Sequence, residues 1–175
     1  MTGKIASVLI LLCAILAGGA LYYLQIYGYY EEVSETDVML LSVANNEPES
    51  IEFAEFQGID ADSSPIRFRA CFTTTGDLEA LSARFVDAGA VVPRNAPGWF
   101  ECFDAAAIAA ELRAGTARAF MAQKNIRYGV DRIVAITEDG RGYIWHELND
   151  CGSKAYDGTV VGEECPPLPE KTGGD

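Results

Sequence analysis

Four cysteines, one histidine and a few groups of carboxylates are the side chains here whose types and spacing suit chemistry. Cys71, Cys102, Cys151 and Cys165 are an even set, which in an oxidising compartment makes two disulfides with three pairings open. The favoured pairing is Cys71–Cys102 with Cys151–Cys165. The first ties a strand to the start of a helix. The second closes a Gly- and Asp-rich loop and tethers a tail with little to bury, a ring closure worth about 3 kcal/mol. Zinc is disfavoured, because no CxxC occurs and spacings of 31 and 14 residues fit no compact knuckle. The same absence weighs against a thioredoxin-like redox pair.

His146 is the sole histidine and sits beside Trp145 in a strand-like stretch. Such an imidazole suits a base, a ligand or a pH sensor. No second imidazole accompanies it, nor does HExxH, GxSxG or GKS. A cross-strand neighbour such as Ile133 favours a packed histidine, so it stands only as a polar candidate. Asp60, Asp62 and Ser64 imitate the first ligands of a calcium loop, but Pro65 stands where glycine is needed and Cys71 where the bidentate glutamate is needed. A solvated loop is expected. Glu52 with Glu55, and Glu163 with Glu164, offer the paired carboxylates of sugar chemistry, yet 26 acids make such pairs freely by chance. No catalytic residue, metal ligand or cofactor is assigned, and an enzyme is not expected. Trp99 and Phe100 follow the turn Asn95-Ala96-Pro97-Gly98. They form either a recognition tip or, as preferred, a cover folded over the core beside Cys102. With Tyr27, Tyr29 and Tyr30 they are the candidate interaction residues.

These side chains must be held by elements that the 175 residues can build. The chain is 49% hydrophobic, enough for one folded domain and hardly two. Its net charge of −13 is uneven. Lys4 is the only charged side chain of residues 1–30, so residues 31–175 hold 12 basic and 26 acidic groups. That balance argues against a nucleic-acid ligand and against an anionic membrane surface as partner of the acidic part. Residues 5–24 carry no charge and span about 30 Å as a helix, the thickness of a hydrocarbon core. Five tyrosines from Tyr22 to Tyr30 follow, as an aromatic belt does. Lys4 before the span and Glu31, Glu32, Glu35 and Asp37 after it put the N-terminus in the cytoplasm and the remainder outside. A cleaved signal peptide is the rival, since Gly18 and Ala20 suit a cleavage site. The apolar stretch running on through Leu21, Leu24 and Ile26 favours an uncleaved anchor. Cys13 lies mid-span and reads as a small apolar filler.

Beyond a connector at 25–36, strands are expected at 37–44, 51–56 and 66–73, with a loop at 57–65. The third alternates, with Ile66, Phe68, Ala70 and Phe72 on one face and Arg67, Arg69, Cys71 and Thr73 on a less apolar one. A helix is expected at 77–88, with Leu78, Leu81, Phe85 and Val86 on its buried face. A second, capped by Asp104, runs through 105–114 and stops at Gly115. A strand is expected at 117–124, with a helix as the alternative. Residues 131–149 form a hairpin whose two-residue turn Asp139-Gly140 pairs Ile136 with Tyr143, Val134 with Trp145 and Ile133 with His146. The fold class is therefore α+β: an N-terminal transmembrane helix, then an antiparallel sheet of four to six strands with two helices on one face. The parts are an anchor with aromatic flank (1–30), a periplasmic domain (31–165) and a mobile Pro/Gly/acidic tail (166–175).

The start MTGKIASVLILLCAILAGGALYYLQIYGYYEEV, the middle NAPGWFECFDAAAIAAELRAG and the end YGVDRIVAITEDGRGYIWHELNDCG resemble an uncharacterised family of small single-pass membrane proteins of alphaproteobacteria. The resemblance implies a bacterial inner membrane and a periplasmic domain, and carries over no catalytic or binding residue. The function expected is a non-enzymatic, membrane-anchored accessory, assembly or adaptor protein of a larger membrane complex. Residues 5–24 would meet lipid, and the acidic face another membrane protein or a basic periplasmic protein. A periplasmic ligand-binding or sensory domain is the alternative.

Overall fold

In the computed structural model, which describes residues 3–35 and 37–167, the apolar run forms α1 (Gly3–Tyr23) and continues into a π-helical turn, Leu24–Gly28. The combined helix has 26 residues and a mean hydropathy of 2.4 over its most apolar stretch, none of it buried against the rest of the chain. It is long and apolar enough to cross a membrane.

Eight strands and two helices follow: β1 (Glu31–Val33), β2 (Val38–Leu41), β3 (Pro48–Ile51), β4 (Ala54–Asp60), β5 (Arg69–Thr73), α2 (Leu78–Arg84), α3 (Ala105–Ala114), β6 (Ala117–Arg127), β7 (Val130–Thr137) and β8 (Arg141–Leu148). Six of the strands make an antiparallel sheet in the order β1-β4-β5-β8-β7-β6, and β2 and β3 form a separate hairpin. The α+β architecture is as expected, at the upper end of the strand range.

Both faces of the sheet are buried. Along β8, Tyr143 and Trp145 join Cys71, Ile133, Ala135 and Ile108 of α3, whereas Ile144 joins Phe68, Phe72, Val134 and Leu81 of α2. Successive side chains of a strand point to opposite faces. The two helices therefore flank the sheet, where the sequence had placed both on one side. The β2–β3 hairpin adds Val38, Leu40 and Ile51 to the α2 side. The less apolar face expected for β5 is a second core, with Arg69 4% and Cys71 8% exposed.

Local chemistry set α3 as expected. The Asp104 carboxylate accepts from Ala106 N and Ala107 N, and Gly115 closes the helix at φ 79°. Tertiary partners changed other elements. The α2 helix stops at Arg84, and Phe85 and Val86 are extended rather than on its buried face. Val86 N donates to Leu41 O, Met121 N to Val86 O and Ala88 N to Ala119 O, so β2 and β6 claim that backbone. Residues 57–60, expected in a loop, complete β4 between β1 and β5. Gly58, which reads as a loop residue, lies where a Cβ would crowd Val33 and Phe56.

The β7–β8 hairpin has a different register from the one expected. Ile136 faces Gly142, Val134 faces Ile144, Ile133 faces Trp145 and Arg132 faces His146. The loop has three residues, Glu138 to Gly140, with Gly140 at φ 84° and Gly140 N donating to Thr137 O. Thr137 Oγ1 accepts from Arg141 N, and Gly140 O accepts from Thr74 N, locking that loop to the end of β5. Apart from Pro166 and Pro167, the tail expected to be mobile lies outside the described residues.

Candidate functional site at the foot of the anchor

The last turn of a helix leaves carbonyls without intrahelical donors. Here the π-helical turn directs two of them at the folded domain. Trp99 Nε1 donates to Ile26 O at 2.7 Å, and Arg67 Nη1 donates to Gln25 O at 3.1 Å. A cation at a helix C-terminus also meets the negative end of the helix dipole. Aromatic rings complete the clasp. Tyr27 stacks on Trp99 with centroids 6.3 Å apart, and Tyr30 meets Trp99 edge-on at 5.8 Å. Tyr23 extends the stack through Tyr27 at 5.9 Å. The Arg67 guanidinium lies 5.5 Å over the Tyr30 ring and reaches its hydroxyl at 3.4 Å. Tyr29 is exposed beside it.

The loop bearing Trp99 is held from behind. Phe100 is buried with Phe103, Ile133 and Trp145, and Cys102 is bonded to Cys71 of β5. Buried Arg69 donates to four backbone carbonyls, those of Ile66, Phe68, Arg94 and Asn95. Burial pushes Arg69 down to about 10, which still leaves it charged at neutral pH. It fastens the 94–95 segment to β5 as a cation held by carbonyls. Of the two readings of the aromatic pair, Phe100 takes the cover, and Trp99, 38% exposed, faces the anchor.

Between the sheet edge and residues 99–102 lies an open groove of about 710 Å³, lined by Glu32, Val33, Gln57, Ile59, Trp99 and Phe100 among others. Its wall, β1, is the outermost strand of the sheet.

His146 is elsewhere and is fully engaged. Arg132 Nε reaches His146 Nε2 at 3.1 Å, and His146 Nδ1 lies 2.8 Å from Pro65 O. Arg132 can only donate, so Nε2 accepts and Nδ1 carries the proton to the carbonyl. The ring stacks on Phe68 at 4.8 Å, and Arg132, itself paired with Glu35 at 3.1 Å, covers the other partner of that stack at 4.4 Å. Burial is the main cause that pushes His146 down to about 4, so it is neutral at pH 7. The neighbour across the strand is Arg132, not the expected Ile133, because of the register.

Cys151 and Cys165 form the second bridge, and Cys13 is a free thiol on the surface of α1. Asp60 accepts from Ala61 N, its own neighbour. No trio of metal-ligating side chains is gathered among the described residues. Sequence reasoning missed Arg67, Arg69 and β1. The only signal for the two arginines was their alternation within IRFRACFT, which reads as a solvent-facing polar set.

No curated protein and no solved structure matches the chain. The model of a family of unknown function, DUF6446, matches residues 38–166, which takes in β2 to β8 and both disulfides and leaves out the anchor. The clasp therefore joins a segment outside the matched range to residues inside it, and by that match the chain belongs to the DUF6446 family of unknown function.

Proposed function

We propose that the chain is a non-enzymatic accessory or adaptor subunit of a larger membrane complex, anchored by α1 in a bacterial inner membrane with its N-terminus cytoplasmic and its domain periplasmic. The observation that carries this reading is the clasp. A domain merely tethered to a membrane needs only a linker, whereas Arg67 and Trp99 grip the helix end through its backbone carbonyls and set the domain's orientation on its anchor. Fixed orientation is of use to a part that must meet another membrane-bound part. The charge step from Lys4 to Glu31 and Glu32, and two disulfides, support the periplasmic side. The absence of catalysis is inferred from how the best polar candidate is used: both ring nitrogens of His146 are taken by internal bonds.

The partner surface is the groove beside β1. Its edge strand carries Glu31 and Glu32, so a basic segment of another membrane protein or of a periplasmic protein suits it, with attraction that salt weakens. The same groove favours the second reading, a ligand-binding or sensory domain, because its volume would admit a small molecule. Extraction of the full chain from native membranes in mild detergent decides between them. A stable partner lost on Glu32→Lys supports the adaptor. A solitary, monodisperse protein whose melting temperature rises with a small molecule supports the ligand-binding domain and sinks the adaptor.

A further inference from the structure

The unbroken apolar run of the anchor ends at Leu24, before Gln25, and the headgroup layer beyond a hydrocarbon core is about 5–7 Å thick on each side. Groups bonded to Gln25 O and Ile26 O therefore sit at the depth of lipid phosphates whenever the run fills the core. Those groups are the guanidinium of Arg67 and the indole of Trp99.

Arg84, Lys124, Arg132 and Arg141 each hold a carboxylate, and Arg67 is one of the basic side chains that hold none among the described residues. What sets it apart is its place, bonded to one of the last carbonyls of the anchor. Its Nη1 is spent on Gln25 O and the Tyr30 hydroxyl, which leaves Nε and Nη2 without an acceptor among the described residues. Arg94, exposed on the neighbouring loop, adds a second cation with no ion pair among the described residues, and its carbonyl is held by buried Arg69. Arg67, Arg69 and Arg94 make no ion pair among the described residues. A planar guanidinium with two free donors matches a phosphate oxygen pair, and indole and phenol rings beside it suit the interface.

We infer that Arg67, flanked by Trp99 and Tyr30, is a docking point for the phosphate of an anionic phospholipid in the leaflet on the domain's side, seating the base of an otherwise acidic domain on the membrane. The inference rests on the anchored reading above. It makes a prediction of opposite sign to the bulk charge, which would have anionic lipid push the domain away.

The test uses the full chain in nanodiscs of phosphatidylcholine brominated near the headgroup, with and without added phosphatidylglycerol. Trp99 quenching is read as the difference from Trp99→Phe, which removes the contribution of Trp145. Phosphatidylglycerol should increase the quenching, Arg67→Lys should cut the gain to less than half and Arg67→Gln should lose it. A fall in quenching for the wild type, or a gain that survives in Arg67→Gln, overturns the inference. Inorganic phosphate added to the protein in dodecyl maltoside should leave Trp99 emission unchanged. A response there would assign the site to a soluble anion and overturn the lipid assignment. Co-elution with the discs reports the anchor by itself. Its failure strikes the anchored reading, whereas co-elution without a lipid response strikes this inference alone.

Discussion

Cys71 lies on β5 in the middle of the sheet, packed with Ile133, Tyr143 and Trp145. Cys165 lies in a loop whose neighbours Tyr156, Val160 and Val161 are open to solvent and whose ladder contact among the described residues is Lys154 with Val160. The two bridges span 31 and 14 residues, and chain entropy alone separates such loops by less than about 1 kcal/mol. Their surroundings separate them further. Cys71–Cys102 holds down the segment that buries Phe100 and presents Trp99 to the anchor, so loosening it exposes core. Cys151–Cys165 stabilises a loop that can open without disturbing the sheet.

The most damaging way to probe this contrast is Cys71→Ala with Cys102→Ala. Unfolding of the full chain in detergent, followed by Trp145 fluorescence, should show a loss of about 2–5 kcal/mol. An equal loss on removing the other bridge would abolish the contrast.

Acid probes the same central strands without cutting a bond. The folded value of His146, about 4, lies below the ordinary 6.5, so the unfolded chain takes up a proton that the folded one refuses. The contribution of neutral His146 is whole above pH 6.5 and is lost as pH falls towards 4, on the order of 3 kcal/mol in all. His146→Gln can keep both hydrogen bonds, and it should flatten the stability profile across that window. An unchanged slope would show that His146 is not its source.

Gly142 sharpens the comparison at one atom. It faces Phe72 across the strands, and a Cβ there would run into the Phe72 ring. Gly142→Ala should cost about 1–3 kcal/mol, with no change in either disulfide by mass. The smallest effect belongs to Cys151→Ala with Cys165→Ala, for which unfolding of the sheet should shift by less than about 1 kcal/mol while proteolysis within 151–165 quickens. In the unreduced wild type, thiol labelling should reach Cys13 alone.

What was legible came from signals that are local in the chain. The anchor is one uninterrupted run, α3 has its own cap and stop, and the alternation of Phe68, Ala70 and Phe72 put them together on one buried face. The favoured cysteine pairing also holds, since it joined segments that sequence already placed as a strand next to a helix start and as a closed loop. The hairpin register was not legible. Ile133, Val134, Ala135 and Ile136 are all buried, two on each face, so a run without alternation leaves the pairing free to slip by one. Thr137 and the contact of Thr74 with Gly140 choose the three-residue loop instead.

The sequence by itself determined that an apolar helix precedes an acidic α+β domain with two cross-links, because hydropathy, capping and cysteine spacing act over short stretches of chain. Only the tertiary structure decided that Arg67 and Trp99, 42 and 73 residues from the carbonyls they hold, would meet the end of that helix. A hydrogen bond across such a separation has no signature in either segment. It exists because the segment leading into β5 and the disulfide-bound loop after Pro97 come together where the helix releases its last carbonyls.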